Sequence, residues 1–268
     1  MTDSEDVREP VSGKARSQDE QDEQDEQYLQ ASLSALARMS NGTLMLEEVL
    51  TRVAEFAVSA IPHAEGAGVT MIEQGRLDTI VASATFVRAV DAVQYGLGEG
   101  PCISAARERR TMRSGSLGGE QRWPRFGPRV GRLGVHSVLS LPLVLPGNSE
   151  PAVGAINVYA HPKDAFDDRA QQLGELFAVP AAVAVHNAQV LAQTQRMTEQ
   201  LQAALTNRAV IDQAIGILIS RSGDTADEAF AVLRTISQRD STKLATVAKK
   251  IVDEAARRAR ARTRPTDS

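Results

Sequence analysis

The chain has a single cysteine, Cys102, in a position where a thiol could react. Cys102 follows Gly98-Glu99-Gly100-Pro101 at the start of a predicted short helix, where the helix dipole favours a thiolate. One interpretation is therefore a redox sensor. The other is a buried small hydrophobic residue, the more common role of a lone cysteine without a resolving partner. Because one cysteine cannot form an internal disulfide, the chain fits a reducing cytoplasm.

Other patterns of catalysis or metal binding do not occur in the sequence. The histidines are scattered without the spacing of a zinc site, at His63, His136, His161 and His186. The glycines of 96–100 are expected to shape a turn, and no Gly-x-x-x-x-Gly-Lys-Ser/Thr or Gly-x-Ser-x-Gly motif is present. We expect no catalytic residues, no metal, no cofactor and no enzyme. A Cys102-dependent reductase is the enzymatic alternative.

Basic residues are concentrated at the end of the chain. From residue 196 onward thirteen basic and nine acidic residues give a balance of +4, although the whole chain carries −4. Residues 1–27 hold ten acidic and three basic residues, a balance of −7. A basic terminal module suits an anionic partner, and the alternative is a set of solvated helix faces. No run of about 18 uncharged apolar residues was found, so we expect no membrane span.

Three short amphipathic helices are predicted in this basic region. Gly223 is expected to end the first helix, and Thr225 with Glu228 forms the capping-box signature that begins the second. The apolar stripe of the first helix comprises Leu201, Leu205, Ile211, Ile215 and Leu218, with Arg208 among them. The expected core residues of the other two are Ala229, Phe230, Leu233, Ile236, Leu244, Val247, Ala248, Ile251 and Val252. Three such stripes satisfy one another as a small bundle.

Residues 197–255 resemble the ANTAR family of RNA-binding modules in this helix pattern. The resemblance implies a dimer that binds paired RNA hairpins and affects transcription termination or translation. The positions that match the family pattern, and so are expected to bind RNA, are Arg208, Ala214, Gly216, Arg221, Ser237, Gln238 and Lys243. Ile215 departs from the family, which commonly has lysine there. Its effect is either a weaker or redirected RNA contact, or only a change in packing.

The preceding region reads as mixed α and β structure. Residues 1–27 are acidic and of low complexity, and we expect them to be disordered. Helices are predicted at 28–39, 46–60 and 101–108, and a long helix opens at Asp167. Strands are predicted at 68–72 and 78–84 around the turn Gln74-Gly75, and at 135–144 and 152–160 around the turn 146–149.

This region, about residues 30–190, resembles the GAF domain of sensory proteins. The segments that carry the resemblance are 98–102, Trp123-Pro124-Arg125-Phe126, 137–143 and 154–159. The resemblance implies an antiparallel sheet with helices on one face and, often, a ligand cavity on the other. Cys102, Trp123 and Phe126 are the candidate ligand-binding residues. For the two aromatic residues the alternative is closure of the core.

The long helix from Asp167 carries apolar residues at alternating spacings of three and four, which indicates a shared helix or coiled coil. The stripe comprises Leu173, Leu176, Phe177, Pro180, Val183, Asn187, Val190, Leu191, Thr194, Met197, Leu201, Ala204 and Leu205. Asn187 could fix the register, and Pro180 is expected to bend the helix. A parallel homodimer is the favoured interpretation, and a monomer that uses the stripe as its own core is the alternative.

Together these patterns predict an α+β protein in four segments. They are a disordered acidic tail at 1–27, a GAF-like sensor domain at 28–195, an ANTAR three-helix bundle at 196–256 and a basic tail at 257–268. The expected function is a cytoplasmic, dimeric regulator that senses a small-molecule or protein signal and binds RNA hairpins. A ligand-responsive DNA-binding transcription factor is the competing hypothesis, because three small helices also form helix-turn-helix domains.

Overall fold

The computed structural model describes residues 17–39, 44–73, 76–147 and 152–263. The chain is an α+β protein that divides into two compact units, Met1–Ala192 (unit 1) and Gln193–Ser268 (unit 2). The predicted turns at 74–75 and 148–149 lie outside the described residues, as do 1–16 and 264–268 of the two predicted tails.

Unit 1 is built on a five-stranded antiparallel sheet with the order β2-β1-β5-β4-β3. The strands are β1 (Gly66–Glu73), β2 (Arg76–Ala82), β3 (Met112–Ser114), β4 (Ser137–Leu143) and β5 (Gly154–Ala160). The helices of unit 1 are α1 (Gln18–Met39), α2 (Leu46–Ala60), α3 (Thr85–Leu97), α4 (Pro101–Glu108), α5 (Gly127–Gly131) and the first part of α6 (Asp168–Ser222). The predicted helix at 46–60 and the predicted helix at 101–108 are confirmed with these bounds.

Side chains alternate between the two faces of the sheet along each strand, and both faces are covered. On one face Val69, Leu141 and Ile156 are fully buried in a core that also contains residues of α1, α2 and α6. Successive strand residues point to opposite faces, so Val138 and Tyr159 lie in a second core with residues of α3 to α5. Helices therefore pack on both faces, whereas the sequence analysis expected them on one.

Helix α3 supplies much of the second layer and was missed by the sequence analysis. Its buried residues are Val87, Val90, Asp91 and Gln94. The spacing is that of a helix, but the two polar members interrupt the apolar stripe on which the prediction relied. Gly68 explains how closely α3 approaches the sheet, since a Cβ at this glycine would lie 2.6 Å from Oδ2 of Asp91.

The acidic N-terminal segment is helical from Gln18 onward, so the expectation of disorder is wrong for residues 18–27. Glu20 accepts a hydrogen bond from the backbone amide of Ser17 at 3.1 Å, and its own amide donates to the hydroxyl of Ser17 at 3.3 Å. Arg169 of α6 also donates to the carboxylate of Glu26 at 2.6 Å. Capping and this ion pair favour a helix that composition alone did not predict.

Unit 2 is a three-helix bundle formed by the last part of α6, α7 (Ala226–Arg239) and α8 (Leu244–Thr263). Gly223 follows α6 with a φ of 77°, and its amide donates to the carbonyl of Ile219 at 2.9 Å. Thr225 and Glu228 form the capping box of α7, as predicted. The core contains Ala214, Leu233, Val247 and Ala248, with partly buried Val210, Ile211, Ile215, Leu218, Ile236, Leu244, Ile251 and Val252 against them.

Three features of unit 2 differ from the prediction. Leu201 and Leu205 are 60% and 61% exposed and lie outside the bundle core, and Phe230 is 41% exposed. Phe230 is one residue, about 100° around the helix, from the buried Ala229, so it turns away from the core face. Helix α8 continues to Thr263, so the predicted basic tail is helical over 257–263.

Helix α6 is 55 residues long and passes through Pro180 without interruption. The carboxylate of Asp167 caps it by accepting a hydrogen bond from the amide of Ala170 at 2.8 Å. Leu173 and Phe177 are buried in the core of unit 1. The predicted stripe therefore included residues from two different faces of the helix. Among the described residues, α6 is the one helix that is long and apolar enough to cross a membrane, although a core helix meets the same criterion.

Candidate functional site

Unit 2 carries a surface groove of about 600 Å³ between the end of α6 and α8. Its lining residues are Gln213, Gly216, Ile217, Ser220, Arg221, Val252 and Ala255. We call this depression the α6–α8 groove. The α6 residues recur at three- and four-residue spacing, which places them on one side of the helix. The groove therefore combines a guanidinium with a hydroxyl, an amide and an apolar wall.

Gly216 keeps the floor of the groove open. A Cβ at this position would meet no atom within 4 Å, so neither packing nor a positive φ requires glycine there. Glycine costs about 1 kcal/mol relative to alanine inside a helix. Arg221 is exposed in the last turn of α6, where a cation interacts favourably with the helix dipole. Both residues were among those expected from the sequence.

A second group of expected residues surrounds the connection between α7 and α8. The hydroxyl of Ser237 donates to the carbonyl of Thr242 at 2.6 Å, and the amide of Thr242 donates to the carbonyl of Ser237 at 3.0 Å. These two bonds fix the turn, so the Ser237 hydroxyl already has a structural partner. Gln238 and Lys243 are exposed on either side of it.

Not every expected RNA-binding residue is available at the surface. Ala214 is fully buried in the bundle core, so its side chain cannot contact a ligand without opening the bundle. Arg208 is exposed on α6 but does not line the groove. Ile215 packs against the bundle core, which shows that the departure from lysine places an apolar side chain at the edge of that core.

The sequence analysis missed several lining residues of the groove. Gln213 and Ser220 lie three residues before Gly216 and four residues after it, and this periodicity was readable in the sequence. Val252 and Ala255 come from α8, and only the packing of α8 against α6 brings them to the groove.

Helix α8 adds positive charge beyond the groove. The exposed cations of this helix are Lys249, Lys250, Arg257, Arg258 and Arg260. Glu254 accepts hydrogen bonds from Arg257 at 2.8 Å and from Arg258 at 2.7 Å, and these bonds hold its pKa below the ordinary value. A guanidinium has five N–H donors, so each arginine retains donors for an anionic ligand.

In unit 1 a group of polar side chains lies inside the fold. The hydroxyl of Tyr159 donates to Oδ1 of Asp91 at 2.7 Å. The hydroxyl of Ser140 donates to Oδ1 of Asn157 at 2.9 Å, and Nδ2 of Asn157 donates to the hydroxyl of Thr70 at 3.4 Å. All five residues are buried. They form a network between the sheet and α3, which we call the buried polar network.

Cys102 lies beside this network and is fully buried. Its backbone amide donates to Oε1 of Gln94 at 2.9 Å. Burial raises the pKa of the thiol to about 11, although hydrogen bonds with Thr70 and Asn157 act in the opposite direction. The thiol is therefore neutral at physiological pH, and the position at the helix start does not produce a thiolate.

Trp123 and Phe126 are buried in the apolar core on the same side of the sheet as Cys102. Nε1 of Trp123 donates to the hydroxyl of Ser104 at 3.0 Å, and Arg122 stacks over its ring at 4.6 Å. A ligand would reach these two side chains only by displacing that packing. Across the described residues, no group of three or more His, Cys, Asp or Glu side chains is arranged to hold a metal ion.

Two protein families match the two units. A GAF domain model matches residues 43–186, more than half of the chain, and the chain therefore belongs to the GAF domain family. An ANTAR domain model matches residues 199–252. Both matched domains are regulatory rather than enzymatic. The family resemblances drawn from the sequence are thus confirmed.

Similar solved structures include the GAF domain of a phosphoenolpyruvate-protein phosphotransferase from Coxiella burnetii, with 15% identity, a TM-score of 0.47 and coverage of 61% of this chain and 96% of that one. A putative GAF sensor protein from Burkholderia vietnamiensis has 16% identity, a TM-score of 0.46 and coverage of 64% and 97%. A type II free methionine-R-sulfoxide reductase from Thermoplasma acidophilum has 16% identity, a TM-score of 0.42 and coverage of 53% and 95%. No curated protein sequence matches the chain.

Proposed function

We propose that the protein is a cytoplasmic, dimeric regulator that binds RNA hairpins through unit 2 in response to a signal received by unit 1. The GAF and ANTAR composition supports a signal-responsive regulator of RNA. The observation that carries the proposal is the α6–α8 groove, in which Gly216 and Arg221 lie together next to the basic helix α8.

Both the groove and the basic surface of α8 would contact the RNA. Arg221, Lys243 and Arg257 would hold phosphates, because charge-assisted contacts to the backbone supply most of the affinity for nucleic acid. Gln213 and Gln238 have amide groups that both donate and accept, as the edge of an unpaired base requires. Sequence-specific recognition of RNA usually targets such loop bases, since the deep groove of an RNA helix is closed to side chains.

A second copy of the chain would cover the exposed apolar residues of α6. In unit 1 these are Leu176, Val179, Val183 and Val190, and in unit 2 they are Met197, Leu201 and Leu205. Their spacings of three, four and seven residues are those of a coiled-coil seam. Asn187 falls at a seam position and is exposed, where a polar side chain would fix the register of two parallel helices.

The signal would enter through the second core of unit 1. The buried polar network holds α3 on the sheet, and a signal that opened this network would shift the population of packing arrangements around it. Helix α6 supplies Leu173 and Phe177 to the other core of unit 1 and Ala214 to the core of unit 2. A change in the packing of unit 1 could therefore be transmitted along one helix.

Direct binding measurements test the proposal. Purified full-length protein should shift a labelled RNA with two tandem hairpins in gel electrophoresis, and unlabelled hairpin RNA should compete better than duplex DNA of equal length. A variant that ends at residue 196 should lose this binding and keep the thermal transition of unit 1. Equal competition by duplex DNA would favour a DNA-binding factor instead, and unchanged binding by the truncated chain would refute a role for unit 2.

A further inference from the structure

Phe230 is an aromatic side chain on the surface of unit 2 without a place in its core. It is 41% exposed, although an apolar residue of this size gains about 1.5–3 kcal/mol from full burial. Ala229 and Leu233, its neighbours on α7, are fully buried. The bundle thus closes without Phe230, and the exposed ring is available for a ligand.

The residues that share this face of α7 are polar and include one anion, Asp227, three residues before Phe230, and one cation. Arg234 lies four residues after Phe230, and Ser237 and Gln238 lie seven and eight residues after it. Arg234 is one turn from Phe230, and Ser237 and Gln238 are two turns away on the same side of the helix. Arg234 and Gln238 are exposed, and Ser237 has its hydroxyl bonded to Thr242. An exposed ring is therefore followed along one face by a guanidinium and a carboxamide.

We propose that Phe230 is a stacking platform for one unpaired base of an RNA loop, with Arg234 on the adjacent phosphate and Gln238, about 12 Å further along the helix, on the edge of a neighbouring base. This inference rests on the proposed RNA-binding function and adds a specificity-determining residue to it. Single-stranded bases splayed from a loop are commonly held in this way, by an aromatic ring together with hydrogen bonds to their edges. Each stacked base contributes about 1–3 kcal/mol.

The surroundings of Phe230 favour a nucleotide over an apolar protein partner. Val232 is similarly exposed, at 42%, but lies about 200° around the helix from Phe230, so the two do not form one apolar patch. Arg234, one turn after the ring, supplies a cation for a phosphate, and Asp227, one turn before the ring, supplies an acceptor for the edge of a base. The exposed apolar seam proposed for the second copy lies on a different helix, α6.

The test uses the full-length protein and a tandem-hairpin RNA with 2-aminopurine at each loop position in turn. Stacking on Phe230 should change the fluorescence of one loop position when the wild-type protein binds. Phe230→Leu preserves an apolar side chain without an aromatic ring, and it should lose that signal and bind about tenfold more weakly. Phe230→Trp should retain both signal and affinity. Val232→Ala is the matched control and should behave as the wild type.

The outcomes separate this inference from the function on which it depends. If the wild type binds hairpins and Phe230→Leu matches it in affinity and fluorescence, the stacking role is wrong and RNA binding stands. If Phe230→Leu instead changes the sedimentation coefficient and not the fluorescence, Phe230 belongs to a protein interface, and the inference is also wrong. If the wild type binds no hairpin RNA, the proposed function itself fails.

Discussion

In unit 1 a group of hydrogen-bonded polar side chains lies inside the fold, whereas in unit 2 the polar and charged side chains proposed to contact RNA lie on the surface. Unit 1 buries Asp91, Asn157 and Tyr159 between the sheet and α3. Unit 2 exposes Arg221 and Gln238 around a core made largely of small residues. Buried polar groups specify one packing arrangement, while exposed ones remain available to a partner.

The two cores also differ in size. Unit 1 fully buries large side chains such as Phe126, Phe177 and Tyr159. The fully buried residues of unit 2 are Ala214, Ala229, Leu233 and Ala248. A bundle with so small a core has little stability of its own, so RNA and a second copy would stabilise it by mass action. Unit 1 therefore has the larger core, and unit 2 would gain more stability from partners that bind its surface.

The largest expected effect comes from a variant that creates a cavity beside α6 in the core of unit 1. Phe177→Ala should lower the free energy of unfolding of unit 1 by about 3–5 kcal/mol, because it removes a fully buried ring. Calorimetry should show the loss in the transition of unit 1 and leave that of unit 2 in place. Leu205→Ala on the same helix is the control, since Leu205 is exposed. A common shift of both transitions would show that the units do not unfold separately.

The pH dependence of unit 1 provides the next test. The folded pKa of Cys102, about 11, is above its ordinary value of 9.0, so the folded state holds the proton more tightly. The contribution of the Cys102 thiol to the free energy of unfolding is fully present below pH 9. It falls by about 3 kcal/mol as the pH rises towards 11. Cys102→Ala should reduce this loss. Tyr159, whose pKa is also raised by burial, still contributes to the alkaline dependence in that variant. Equal alkaline slopes in urea titrations of the two proteins would contradict the buried thiol.

The exposed seam on α6 should govern assembly rather than folding. Leu201→Gln with Leu205→Gln should weaken dimerisation at least tenfold in sedimentation equilibrium, because two apolar side chains leave the proposed interface. The transition of unit 1 should not move. Gln202→Ala, on another side of the helix, serves as the control. If the wild type remains monomeric at high concentration, the seam is not a dimer interface.

The smallest expected effect concerns charge on α8. Arg257→Gln with Arg258→Gln should reduce the slope of log affinity against log salt by up to about 2, since each phosphate contact contributes about 0.9. The affinity at moderate salt should fall only a few-fold. The control is Arg88→Gln with Arg129→Gln, two exposed arginines of unit 1, which should leave the slope of log affinity against log salt unchanged. An unaltered slope in the α8 variant would place the phosphates elsewhere.

Local signals made parts of both units predictable from the sequence. Helix α4 has the predicted bounds because Pro101 pre-organises its first turn, and α7 begins at the Thr225 capping box. Helix α3 was missed because buried Asp91 and Gln94 look like surface residues in a sequence. Burial of these polar groups depends on partners from distant strands, which no local pattern contains.

The candidate site was predictable to a lesser degree than the fold. Gly216 and Arg221 were selected by their match to a family pattern and do lie together in the α6–α8 groove. Ala214 was selected in the same way but is buried, because a pattern match does not reveal which way a side chain points. Phe230 was assigned to the core because it is apolar at a helical spacing. It is exposed because it lies about 100° around α7 from the buried Ala229.

Ile215 bears on how much of the proposed RNA affinity depends on charge. Its side chain strengthens the edge of a sparse bundle core, in a position where related modules commonly carry a lysine. Where the lysine of related modules contacts RNA, one fewer cation at this position means about one fewer counterion displaced on binding. Selection among transcripts would then rest more on loop shape and less on charge, and swings in intracellular potassium would alter occupancy less than they do in relatives that keep the lysine.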